Sequence, residues 1–141
     1  MKVDRAGIER LVPHAGAMCL LDAVDDWEPD WIACTSGAPT PAHPLARDGH
    51  VPAIAAVEYA AQATAMHGAL LQAGDRSRAG LLATLVDVRL TASTLPAAPL
   101  VIRAELLSRS PAGCLYRFEV RTVQRPIASG RLMVALQEEG A

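Results

Sequence analysis

Glu58 is a lone carboxylate near the start of a long apolar run, residues 51–73. Two histidines, His43 and His50, precede it in a loop punctuated by proline and glycine. Burying an unpaired carboxylate is costly, so its place in such a run needs a reason. A carboxyl group beside an imidazole suits proton transfer at neutral pH. The competing reading is a structural carboxylate satisfied by backbone donors or by Arg47. Gln62 lies one turn further along, about 40° round a helix from Glu58. It is placed either to orient the carboxylate or to make an interface hydrogen bond. His67 falls about half a turn round from Glu58 and reads as structural.

Other chemistries find little support. His43, His50 and a cysteine lack metal-ligand spacing, so no metal is expected. Cys19, Cys34 and Cys114 are odd in number, far apart and set among apolar residues, as buried structural thiols are. No Gly-rich phosphate loop, nucleophile elbow or nucleotide fingerprint occurs, and no cofactor is expected. Thirteen basic and fifteen acidic side chains give a formal charge of −2, which offers nucleic acid no electrostatic footing. The run 51–73 is interrupted by Glu58, Gln62 and His67, so no membrane span is expected. The N-terminal residues lack the apolar core of a signal peptide, and cytoplasmic residence is the expectation.

The elements that must position these residues follow from patterning. With 141 residues, 51% hydrophobic, the chain is expected to form a single domain over 1–141. Residues 4–11 suit a short helix capped by Asp4. Residues 19–24 and 30–35 read as two strands joined around Glu28, Pro29 and Asp30. A loop over 36–52 leads into a helix over 53–73, rich in alanine and apolar on nearly every face. Four alternating segments follow, at 82–90, 100–107, 115–122 and 130–137. In the first, Leu82, Thr84, Val86, Val88 and Leu90 are expected to face one way, with Asp87 and Arg89 on the other face. The fold class is therefore α+β: a six-stranded antiparallel sheet curled around one long helix.

In this order the chain resembles the hotdog fold, and more narrowly the 3-hydroxyacyl-[acyl carrier protein] dehydratases. The resemblance rests on Leu11-Val12-Pro13-His14 followed by an apolar stretch ending in Asp22, and on Val51-Pro52-Ala53 through Val57-Glu58 and Ala61-Gln62-Ala63. Leu95-Pro96-Ala97-Ala98-Pro99-Leu100 takes the place of the family's Pro-Gly-Asp turn. The wording Gly-His-Val-Pro-Ala and Val-Glu-Tyr-Ala-Ala-Gln is most similar to dehydratase-like proteins associated with aryl polyene clusters, some of which work beside a second hotdog protein. Two departures stand out. The family's catalytic histidine lies fourteen residues before the acid, where this chain has Pro44, with His43 one residue too early and His50 too late. Ala53 stands where the family has a glycine at the helix start.

The resemblance implies that His43, or failing it His50, takes the C2 proton of a 3-hydroxyacyl thioester and that Glu58 protonates the leaving hydroxyl. The Ala53 N–H would hold the thioester carbonyl, with Gln62 and His50 near the substrate. His14 matches a histidine that is not the catalytic one. It further implies a phosphopantetheine arm on an acyl carrier protein as substrate carrier, and sites shared between subunits of a homodimer or larger hotdog oligomer, or of a hetero-oligomer with a second hotdog protein. Arg76, Arg78, Arg103 and Arg109 are candidates for docking the acidic carrier. Two alternatives stay open: a catalytically silent hotdog subunit, and a hotdog thioesterase in which Glu58 activates water.

Overall fold

In the computed structural model, residues 2–11, 18–71 and 80–136 are described, the side chains of 80–83 and 136 excepted. Helix α1 (Arg5–Leu11) opens where Asp4 Oδ1 accepts the Gly7 N–H at 2.8 Å, the N-cap expected of that residue. Its buried Ile8 fastens it to the core. Strands β1 (Ala23–Glu28) and β2 (Trp31–Ser36) form a tight hairpin, with Glu28 opposite Trp31.

The first strand thus begins four residues later than the apolar stretch suggested. Cys19, Leu20 and Leu21 are buried, but as a lead-in segment that docks on a helix. Their backbone is claimed by side chains, the Leu20 N–H by Gln62 and the Leu20 carbonyl by Ser36, rather than by a neighbouring strand.

The loop over 36–52 contains a small hairpin of its own. Asp48 (φ 54°) and Gly49 (φ 80°) both sit in the left-handed region, and Arg47 and His50 bond to each other through both backbone groups. This is the Asp-Gly type I′ turn. One turn of 3₁₀ helix, Ala53–Ala55, then leads into α2 (Ala56–Leu71). Residues 72 and 73, expected to end the helix, lie outside the described residues.

Strands β3 (Gly80–Leu90), β4 (Leu100–Ser110), β5 (Gly113–Arg121) and β6 (Pro126–Leu136) complete one antiparallel sheet in the order β1-β2-β4-β5-β6-β3. Leu100, Ile102 and Ala104, then Tyr116, Phe118 and Val120, then Ile127 and Leu132 present a continuous buried face to α2. The alternation read from the sequence holds in β4 and β5 and, at Leu132 and Val134, in β6; the Leu136 side chain and Gln137 lie outside the described residues. The helix answers with Ala56, Ala60 and Ala63, all wholly buried, whose short side chains let it lie close to the sheet. Gly130 belongs to the same economy of space: a Cβ there would meet the Phe118 ring at 3.2 Å.

Strand β3 departs from strict alternation. Asp87 adopts φ 53° within a register shift between Val86 and Arg89, the mark of a β-bulge. Leu85 pairs with buried Leu132, whereas Thr84 pairs with half-exposed Met133 and Val86 with Arg131. By register Leu85 stands on the side of Leu132, yet it is 40% exposed; Val88 packs against the core, and the expected inward Thr84 and Val86 stand on the other side. The Asp87 carboxylate, turned outward by the bulge, accepts from Arg131 at 2.6 Å. No helix among the described residues is long and apolar enough to cross a membrane.

Candidate active site

The start of the helical segment is held by two backbone hydrogen bonds to one connection. The Ala53 N–H donates to the Ser93 carbonyl at 2.9 Å, and the Leu95 N–H to the Val51 carbonyl at 2.8 Å, so the β3–β4 connection clamps the helix start. Glu58 follows in the first turn of α2, half-buried. Gln62, 1% exposed, donates from Nε2 to Glu58 Oε1 at 3.3 Å and to the Met18 carbonyl at 2.6 Å, and its Oε1 accepts the Leu20 N–H at 2.8 Å. Gln62 thus holds the carboxylate and staples the lead-in segment to the helix within one chain. Arg47 instead donates to the carbonyl of neighbouring Ala46.

His43 is brought to α2, though to the residue beside Glu58. Its Nε2 lies 2.9 Å from Tyr59 Oη, and its Nδ1 accepts the Leu45 N–H at 3.0 Å. Desolvation pushes its pKa below the ordinary histidine value. Tyr59 is 2% exposed, and burial pushes its hydroxyl up to about 12. Tyr59 went unnoticed in the sequence. The available signal was a phenol in an alanine-rich buried helix, since a buried tyrosine hydroxyl needs a partner.

The remaining candidates fall away from this centre. His50 is exposed at the foot of the Asp-Gly turn. The Ala53 N–H, expected to hold a carbonyl oxygen, is already committed to Ser93 in this conformation. His67 is wholly buried: its Nε2 donates to the Glu28 carbonyl at 2.7 Å, and its Nδ1 accepts from the Tyr116 hydroxyl at 2.8 Å. That is a satisfied core histidine, as its position on the helix suggested.

Cys19 and Cys34 are buried free thiols and Cys114 is half-buried; burial raises the Cys34 thiol to about 12. Among the described residues no cluster able to hold a metal ion occurs. Arg103 stacks 4.6 Å over the Trp31 ring, and Arg109 is exposed. His14, Arg76 and Arg78 lie outside the described residues. A groove of about 540 Å³ runs between Arg89, Arg103, Arg117 and Arg131. It lies over the sheet face turned away from α2, remote from Glu58.

Against this geometry, the family model described as ApeP-like, ApeP dehydratase, matches residues 6–140. The chain belongs to the ApeP dehydratase family. This ApeP-like chain is 25% identical over 153 residues to the 3-hydroxyacyl-[acyl-carrier-protein] dehydratase FabZ of Francisella tularensis subsp. novicida, covering 97% of the chain and 94% of that relative. Among solved structures, the dehydratase heterocomplex ApeI:P from Xenorhabdus doucetiae superposes with a TM-score of 0.77 at 21% identity, covering 94% of this chain and 91% of the other. A thioesterase from Haemophilus influenzae superposes with a TM-score of 0.71 at 14% identity, over 99% and 96% of the two chains. Both superpositions establish the hotdog fold for this ApeP-like chain, and the family match makes it a hydro-lyase of the dehydratase kind.

Proposed function

We propose that this chain takes part in dehydrating 3-hydroxyacyl thioesters, carried on the phosphopantetheine arm of an acyl carrier protein, to trans-2-enoyl thioesters. The setting would be fatty acid or polyene-type lipid biosynthesis in the cytoplasm. The observation that carries this reading is Glu58, half-buried in the first turn of α2 and held by the Gln62 amide. Dehydration removes a proton from C2 and breaks the C3–O bond. A carboxyl group at the departing oxygen lets water leave instead of hydroxide. Gln62 keeps that carboxyl group aimed while its other two bonds keep the amide itself from rotating. A second hotdog chain as partner is supported by the fold shared with the ApeI:P heterocomplex.

A catalytically silent hotdog subunit is the second reading, and a particular observation favours it. The Ala53 N–H is engaged by Ser93, so the donor expected for the thioester carbonyl is not on offer in this conformation.

Mass spectrometry of a 3-hydroxyacyl-carrier thioester separates these readings. Wild type and Glu58→Gln are assayed alone and together with a hotdog protein encoded beside this one. Loss of one water mass with wild type, abolished by Glu58→Gln, is expected. Water loss that is the same with either protein would assign catalysis wholly to the partner, and release of free thiol would identify a thioesterase.

A further inference from the structure

The groove on the sheet face turned away from α2 is lined by charges in an ordered array. Each of four adjacent strands places two residues there, two positions apart: Arg103 and Glu105 on β4, Arg117 and Glu119 on β5, Ser129 and Arg131 on β6, and Asp87 and Arg89 on β3. The register aligns them in two rows across the strands. In the first row, Trp31 on β2 stands opposite Glu105, Glu105 opposite Arg117, and Arg117 opposite Arg131, which holds Asp87 at 2.6 Å. In the second, Ala33 stands opposite Arg103, Arg103 opposite Glu119, Glu119 opposite Ser129, and Ser129 opposite Arg89. The first row therefore reads apolar, minus, plus, plus, minus. The second reads apolar, plus, minus, neutral, plus. Strand by strand, no charge in one row has the sign of its neighbour in the other.

Within one protomer the array is partly at odds with itself. Arg117 and Arg131 stand directly opposite each other, and like charges so placed are destabilising. Arg117 is offset only by Glu105, at 3.9 Å, with its side chain 63% exposed. We propose that a second copy of this chain docks on this face, sheet against sheet, about a two-fold axis that runs across the strands between the two rows. Such an axis reverses the strands and exchanges the rows, yet keeps each strand over its own counterpart. Glu105 then meets Arg103 of the second copy, Arg117 meets its Glu119, and Asp87 meets its Arg89. Arg131, which keeps Asp87 in its own chain, meets the Ser129 hydroxyl, and Trp31 lies over Ala33. Each of these contacts occurs twice. Packed sheets lie about 10 Å apart, a gap that an arginine and a glutamate span together. A single surface ion pair contributes little, so the contact draws on all of them closing together round the axis. A uniformly acidic partner fits the face badly, since Glu105, Glu119 and Asp87 would each meet like charge. Glu58 takes no part in the contact, because it lies on α2, across the sheet.

Sedimentation velocity of the full-length chain tests this with a charge exchange between two variants. Wild type is expected to associate through this face at about 0.1 M salt and to lose mass at about 1 M, where the screening length falls from about 10 Å to about 3 Å. Arg117→Glu sets glutamate against glutamate at both symmetry-related places, and Glu119→Arg sets arginine against arginine. Each variant alone is therefore expected to raise the dissociation constant about 100-fold or more. Mixing the two in equal amounts pairs the introduced glutamate with the introduced arginine, and Glu119 of one variant with Arg117 of the other. The mixture is expected to associate within a few-fold of wild type. Equal masses for every sample at both salts, or a mixture no larger than its components, overturns the proposal. Binding of polyglutamate that Glu119→Arg strengthens, with no pairing of copies, gives the face to an acidic partner and overturns it too. Should either variant fail to fold, Arg103→Glu and Glu105→Arg make the same exchange on β4, and their mixing decides in the same way.

Discussion

Gln62 concentrates three tasks in one amide. Truncation to alanine leaves the Leu20 N–H and the Met18 carbonyl without their partner at a site where Gln62 itself is 1% exposed. Each buried group left unsatisfied costs about 1–3 kcal/mol. Gln62→Ala is therefore expected to lower the unfolding free energy by about 3 kcal/mol in denaturant titration, with faster hydrogen exchange at the Leu20 amide. A loss under about 1 kcal/mol would show that the lead-in segment re-pairs with solvent. His43 and Tyr59 illustrate a different dependence. Their partnership spans sixteen residues between an irregular loop and a helix, so no spacing rule announces it. Only the tertiary placement of the loop brings the ring to the phenol.

At the scale of elements, the Asp48-Gly49 turn offers a sharp test. Gly49 sits at φ 80°, where a Cβ is strained whatever space surrounds it. Gly49→Ala is expected to cost about 1 kcal/mol and, by loosening the loop that carries His43, to raise proteolytic nicking between β2 and α2. Unchanged stability and nicking would mean that the turn does not hold the loop.

Helix α2 and strands β4 to β6 were legible in the sequence because their apolar periodicity coincides with burial on one face, as with Ile102 and Ala104 against Arg103. Two stretches were not. Cys19 to Leu21 are as apolar as a strand, yet their backbone bonds to side chains of α2 and β2, which composition does not reveal. In β3 a bulge at Asp87 reverses the alternation part-way, and any aspartate in a strand looks alike until its φ is known. The candidate site divides in the same way. Glu58 was conspicuous as a carboxylate in apolar company. The occupied state of the Ala53 N–H depends on Ser93, forty residues away.

For the molecule as a whole, the histidines set its response to acid. His67 and His43 both have pKa values lowered in the folded chain, chiefly by desolvation. The unfolded chain then binds more protons than the folded one as pH falls below the ordinary histidine value of 6.5. The sign follows: their contribution is intact above that pH and is progressively lost as pH falls from there through the folded pKa values. Tm measured from pH 8 downward is expected to be flat and then to decline from about pH 6.5. His67→Gln, able to keep a donor toward the Glu28 carbonyl, should flatten the decline. A slope identical to wild type would assign the acid sensitivity elsewhere.

The strand order also governs time. Strand β3 follows α2 in the chain but finds its hydrogen-bonding neighbour only in β6, at the far edge of the sheet. During synthesis, β3 emerges and waits unpaired while β4 and β5 are made, and its ladder closes only once residues 126–136 have left the ribosome. The β4-β5-β6 meander has only neighbouring segments to join and is placed to assemble first. The nascent chain thus passes through an interval with one open-edged strand and a half-covered alanine helix. In that interval a second nascent hotdog chain, or a chaperone, meets a surface that the finished protomer conceals.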